Sequence, residues 1–200
     1  MSELAALDVA LLPPHDVAAK AVAISTALPE EDFQGLRLDD AHLPHVTLMQ
    51  LFARVNELDE VMARVDEVVR GAAPMALHVT GGAHGAGSVS MAIELSPPLM
   101  ALHERLMEAL RGLERPDGGT AAFFEEEGRL RDVLWVAGYR LKSSFHHFAP
   151  HITLGHGARP PAIEPFRFEA TTVAVCHLGR FCTCRRVIRA WTLSAAPGRS

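Results

Sequence analysis

Pro44-His45-Val46-Thr47-Leu48 and Pro150-His151-Ile152-Thr153-Leu154 are one motif written twice in a single chain. In an extended backbone, residues two apart share a face. His45 and Thr47 therefore project to one side of their strand while Val46 and Leu48 project to the other. His151 and Thr153 stand against Ile152 and Leu154 in the same way. A polar face opposes an apolar face in both copies, so each motif belongs on a sheet with one packed side and one open side.

Outward from the motifs, the chain alternates strand-like and helix-like stretches. Residues 4–12 form an apolar run closed by Pro13 and Pro14, and Asp16 occupies the N-cap position before an Ala-rich helix over 17–28 that Pro29 ends. The first motif opens a strand over 45–52. From Leu58, apolar residues at Val61, Met62, Val65, Val68 and Val69 recur at helical spacing, until Gly71 and Pro74 stop the helix. Residues 75–80 and 89–95 read as a hairpin with a flexible, glycine-rich tip over 81–87. Ser96 and Pro97 start a third helix with a stripe of Leu99, Leu102, Leu106, Met107 and Leu110. The stretch 121–140 fits neither period and reads as mixed strand and loop. The second motif is a short strand over 151–154, and 166–178 with 184–193 form a last hairpin turning at Gly179. Helices interleaved with antiparallel hairpins indicate an α+β fold, not a doubly wound parallel one.

Two hundred residues, 48% hydrophobic and 22% charged, describe one soluble domain over 1–200. A net charge of -5 and a pI near 6.1 exclude a protein that holds long nucleic acid by bulk electrostatics. The first fourteen residues lack a basic leader and carry Glu3 and Asp8 inside their apolar stretch, which argues against a secretory signal. No uncharged run reaches the roughly 18 to 20 residues of a membrane span. Cys176, Cys182 and Cys184 are an odd number in a chain without an export signal. They point to a reducing cytoplasm, with the thiols filling space.

The chemistry is sought among the eleven histidines. One His-x-Thr in a strand is ordinarily structural; two matched copies converging on a cleft supply what phosphoryl transfer needs. A neutral His activates water, a protonated His delivers a proton to the leaving oxygen, and two Thr hydroxyls donate to the phosphate oxygens. An imidazole pKa near 6.5 lets both protonation states coexist near neutrality. No metal is required, and His146, His147, His151, His156, Cys182 and Cys184 lack the paired spacing of zinc ligands. Arg180, Arg185, Arg186 and Arg189 form the one basic concentration, either a solvated strand edge or a guide for an RNA backbone. Trp135, Tyr139 and Phe148 read as core packing, with stacking on a base as the alternative. His15, His42, His78, His84 and His103 read as surface or partner-satisfied residues.

The duplicated Pro-His-x-Thr-Leu resembles the two-histidine (2H) phosphoesterase superfamily, in its 2'-5' RNA ligase and cyclic phosphodiesterase branch. The segments Phe148-Ala149-Pro150-His151-Ile152-Thr153-Leu154-Gly155 and His177-Leu178-Gly179-Arg180-Phe181-Cys182-Thr183-Cys184-Arg185-Arg186 are similar to that branch's second motif and closing hairpin. The resemblance implies a bilobal fold: two antiparallel sheets related by a pseudo-twofold, helices outside, and an active-site cleft between the lobes. It implies opening of a 2',3'-cyclic phosphate at an RNA end, or of a small cyclic nucleotide-type phosphodiester, by His45, Thr47, His151 and Thr153. Formation of a 2'-5' RNA linkage and a non-catalytic RNA-end or nucleotide-binding module are the alternatives. It implies no cofactor and a monomeric cytoplasmic protein with no obligate protein partner and no membrane. Relatives carry a basic residue three positions after the second Thr. Here His156 holds that place and Gln50 the matching one after Thr47, leaving Arg180, Arg185, Arg186 or Lys142 to compensate phosphate charge.

Overall fold

The computed structural model describes residues 3–85 and 87–194. Met1, Ser2, Ala86 and residues 195–200, which fall within the leader, hairpin-tip and whole-domain readings, lie outside them. In chain order the elements are β1 (Leu4–Leu12), α1 (His15–Thr26), β2 (Val46–Arg54), α2 (Leu58–Val69), β3 (Met75–Gly85), β4 (Ser88–Ile93), α3 (Pro97–Ala109), α4 (Leu130–Lys142), β5 (His151–His156), β6 (Phe166–Ala170), β7 (Thr172–Leu178) and β8 (Cys184–Thr192). No helix among them is long and apolar enough to cross a membrane.

The eight strands form one antiparallel sheet in the order β6-β3-β4-β5-β2-β1-β7-β8. This corrects the expectation of two sheets related by a pseudo-twofold. The halves are joined at the centre, where Val46 of β2 pairs with Ile152 of β5. They are joined a second time by the chain itself, because Thr171 alone separates β6 from β7. In a flat sheet those strands would lie roughly 29 Å apart at the usual strand spacing. A one-residue link spans only about 7 Å, so the sheet is rolled.

β1 shows how the two faces divide. Ala5, Leu7, Val9 and Leu11 belong to the main core, with α1 (Val17, Ala21), α2 (Val61, Val65) and α3 (Leu99, Leu102) packed against it. Ala6 and Ala10 belong to two smaller clusters, one with Phe52, Phe123, Val133 and Val136 and the other with Ala174, Cys176 and Cys184. Because side chains alternate, Asp8 falls on the second face between Ala6 and Ala10. That face is covered only in part, and the cleft lies over it.

Several local readings are corrected. Asp16 lies in the first turn of α1, where it favours the helix dipole, while Pro14 is the N-cap without a side-chain cap. The glycines of 81–85 are strand rather than a flexible tip: β3 runs to Gly85 and pairs with β4 through Gly82↔Met91 and His84↔Val89. A Cβ on Gly82 would meet the Pro161 carbonyl oxygen at 2.0 Å, so glycine admits the returning loop. The expected strand 166–178 breaks at Thr171, β6 pairing with β3 and β7 with β1 and β8. The stretch 121–140 becomes short 3-10 turns and α4. α4 buries Val133, Val136 and Tyr139 but leaves Leu130, Leu134 and Trp135 exposed, so apolar residues on both sides hide its period. Its start is set by Asp132, which accepts the Arg129 backbone N–H at 3.0 Å. Ser96 caps α3 as expected, accepting the Leu99 N–H.

Past Val46↔Ile152, β2 and β5 have no further registered pair. The Leu48 carbonyl instead accepts Nδ1–H of His103 at 2.6 Å and the Tyr139 hydroxyl at 3.4 Å. His103 Nε2 in turn accepts the Phe145 N–H at 2.9 Å, and the ring stacks on Phe148 with centroids 4.0 Å apart. His103 is thus fully satisfied only when neutral, and burial pushes its pKa below the usual 6.5. A base with a depressed folded pKa binds fewer protons folded than unfolded. Its stabilising effect is therefore present above pH 6.5 and is lost as pH falls toward the folded value. Urea unfolding between pH 7.5 and 5 is expected to show a steeper acid loss of stability in wild type than in His103→Gln. That variant is expected to be about 1 to 3 kcal/mol less stable at neutral pH; equal pH slopes would contradict this role.

Candidate active site

The Val46↔Ile152 pair fixes the site. Both side chains are buried in the main core, which turns His45, Thr47, His151 and Thr153 to the opposite face. Antiparallel register around this pair sets Thr47 across from His151 and His45 across from Thr153. All four line one cleft of about 600 Å³.

Each ring is fixed by the same local device. His45 Nδ1 lies 2.7 Å from the Leu43 carbonyl oxygen and His151 Nδ1 lies 2.8 Å from that of Ala149. A carbonyl only accepts, so each Nδ1 carries the proton and each Nε2 carries a lone pair. Pro44 and Pro150 stand between ring and acceptor in both copies, holding the extended turn that brings the carbonyl back to the ring. Desolvation by the surrounding protein pushes both pKa values below 6.5, opposed by the carbonyl bonds. For His151 the charge of His45 adds to the depression. His45 is buried, whereas His151 is more exposed and lines the same cleft.

Beneath His45 lies a residue that the motif reading missed. Asp8 is fully buried, and its Oδ2 accepts from Thr47 Oγ1 at 2.7 Å and from Gln50 Nε2 at 2.7 Å. The same oxygen is 3.7 Å from His45 Nε2. Desolvation outweighs these hydrogen bonds and raises its pKa from 3.8 to about 7. The signal was present in the sequence: Asp8 is the one charged residue in the otherwise apolar 4–12 stretch, and a lone acid in a buried strand needs a reason.

Of the remaining candidates, Gln50 and His156 line the cleft, as does Lys142 near the end of α4. Gln50 is committed to Asp8 rather than aimed at a ligand. Burial lowers the pKa of His156, and Arg129, Arg131 and Arg37 lower it further. Arg180 and Arg185 do not line the cleft. Arg185 pairs with Glu127 at 3.0 Å and donates to the Ala41 carbonyl, tying β8 to the loop before β2. Trp135 stands half exposed on the cleft wall, while Tyr139 and Phe148 are buried beneath it. Other lining residues, among them Arg129, Ser88 and Ser90, sit at the N-cap of α4 and on β4, where the sequence carried no motif.

Comparison with known proteins agrees with this geometry. The family model described as the 2'-5' RNA ligase superfamily matches residues 13–175. The chain belongs to that superfamily. Its fold is similar to TT0787 of Thermus thermophilus, at 20% identity and a TM-score of 0.64 over 96% of this chain and 100% of that one. It is also similar to E. coli LigT, at 16% identity and a TM-score of 0.63 over 96% and 99%. A third structure, described as a phosphoesterase, aligns at 16% identity and a TM-score of 0.61 over 95% and 99%. No curated protein matches the chain by sequence.

An acid whose folded pKa is raised binds more protons folded than unfolded, so wild-type stability falls as pH rises from about 4 to about 7. Asp8→Asn keeps an acceptor for Thr47 and has no proton to lose. Its stability relative to wild type is expected to grow through that window by a few kcal/mol, read from denaturant midpoints across pH. A constant difference would show that Asp8 titrates normally.

Proposed function

We propose that this protein is a metal-independent phosphodiesterase that opens a 2',3'-cyclic phosphate at an RNA end, or a related small cyclic phosphodiester. The observation that carries this reading is the matched fixing of two imidazoles. Both donate Nδ1–H to the carbonyl two residues upstream, and both hold Nε2 for the same cleft.

The step balances with these groups alone. One neutral Nε2 takes a proton from water as the water oxygen bonds to phosphorus. The bond from phosphorus to one ring oxygen breaks, and the other ring, protonated at Nε2, gives its proton to that oxygen. One water is consumed, a phosphomonoester and a free hydroxyl form, and the two rings have exchanged protonation states. Thr153 lines the cleft as a donor to a non-bridging oxygen, whereas Thr47 must exchange Asp8 Oδ2 for the phosphate to do the same. Lys142 supplies positive charge at the wall. Arg129 does less, because its guanidinium is held by Asp132 at 2.6 Å and lies over the Phe181 ring. LigT has been crystallised with phosphate and with 3'-AMP, ligands of the size and charge this cleft suits.

A short RNA ending in 2',3'-cyclic phosphate, incubated with chelator and followed by mass spectrometry, is expected to gain one water with wild type. His45→Ala and His151→Ala are each expected to lose about a hundredfold or more in rate. If both variants bind the RNA more weakly but turnover is absent throughout, the protein is a binding module instead; loss of wild-type activity in chelator contradicts the metal-free step. The base must be neutral and the acid protonated, and both pKa values are depressed from 6.5. The bell-shaped profile of kcat/KM is therefore expected to lie on the acid side of neutrality, and a plateau extending above pH 8 would contradict this assignment.

A further inference from the structure

The second face of the sheet gathers a donor set of which the hydrolytic step uses only His45. A carboxylate oxygen of Asp8, a ring nitrogen of His45 and the sulfur of Cys184 all lie within 4.8 Å of one another, and all three residues are buried. They come from β1, from the turn before β2 and from the first residue of β8. The Leu43 N–H, bonded to the Cys184 carbonyl at 3.0 Å, holds that turn against β8.

Two further observations point to a cation. Asp8 Oδ2 is occupied by Thr47 and Gln50, but Oδ1 is buried without a hydrogen-bond partner, a position that costs about 1 to 3 kcal/mol in an apolar setting. His45 donates Nδ1–H to a backbone carbonyl, the outer contact that metal-bound imidazoles characteristically make, which leaves Nε2 to coordinate. Burial, with Cys176 beside it, pushes the Cys184 thiol up, so a bound cation would have to displace the thiol proton.

We propose that Asp8, His45 and Cys184 bind a divalent cation of the zinc class, and that its occupancy and catalysis by His45 exclude each other. Mixed nitrogen, sulfur and oxygen donors suit borderline-soft, tetrahedral ions and not calcium or magnesium. One carboxylate and one thiolate neutralise the two positive charges, the thiol proton leaving to solvent. Bonds of about 2.0 to 2.3 Å place tetrahedral donors roughly 3.3 to 3.8 Å apart. His45 Nε2 and Asp8 Oδ2 stand at 3.7 Å, and coordination by that oxygen would draw it away from Thr47 and Gln50, whereas coordination by Oδ1 asks for rotation of the carboxylate. Of the three donors, His45 lines the cleft. A cation on Nε2 takes the lone pair that proton transfer needs; this inhibitory consequence rests on the functional reading, while the binding site does not.

The test is cobalt(II) titration of the chelator-stripped, reduced protein, read by absorbance. Wild type is expected to develop a thiolate-to-cobalt charge-transfer band that saturates at one equivalent and is abolished by one equivalent of zinc. Cys184→Ala is expected to lose the band and Cys182→Ala to keep it. Asp8→Asn, which guards against a folding failure of the first variant, is expected to weaken cobalt binding tenfold or more. Absence of a band in wild type, or its persistence in Cys184→Ala, overturns the site whether or not the protein turns over any phosphodiester. If it does, zinc is expected to inhibit wild type at the concentration that displaces cobalt; undiminished activity at full zinc occupancy overturns the mutual exclusion.

Discussion

A single antiparallel pair, Val46 against Ile152, carries the site. It turns two apolar side chains into the main core and, by the alternation of the pleat, turns two histidines and two threonines out of it. Elsewhere in the sheet a pair could be lost at the cost of some stability. Here its loss would separate the two histidines. The seam is narrow because the sheet is rolled, and beyond that one pair β2 and β5 part. His103 and Tyr139 then supply the Leu48 carbonyl with the donors a neighbouring strand would have given. The opening of the cleft and the burial of His103 are two consequences of the same divergence.

The cleft face is built mostly from small residues, Ala6, Ala10, Ala174, Cys176 and Cys184, where a typical core face would carry leucines. That choice leaves room above the sheet, and it also leaves Asp8 under His45 with one carboxylate oxygen unmatched. A buried acid beside a reactive imidazole costs stability at neutral pH. Its retention is intelligible if the proton or a cation it holds matters to the site.

Much of this was legible in residue order. The repeated Pro-His-x-Thr-Leu identified the four central side chains, and strand-forming runs with proline or glycine stops located most elements to within a few residues. Three things were not legible, each for a physical reason. Whether two halves form two sheets or one depends on a single long-range pair and on the one-residue passage at Thr171, which leave no local signature. α4 is apolar on both its buried and its exposed sides, so no stripe emerged from 130–142. Arg185 looked like a phosphate ligand because charge is visible in a sequence and partners are not. Its partner Glu127 lies on a distant stretch of chain.

The central claim is that both imidazoles present Nε2 lone pairs to one cleft because backbone carbonyls hold both Nδ1 protons. Long-range nitrogen–proton correlation NMR of histidine-labelled protein, at a pH where the rings are neutral and with no metal added, tests it without reference to any substrate. The account expects His45 and His151, assigned by His→Ala variants, both to show the tautomer protonated at Nδ1. An Nε2-protonated pattern for either ring would contradict it.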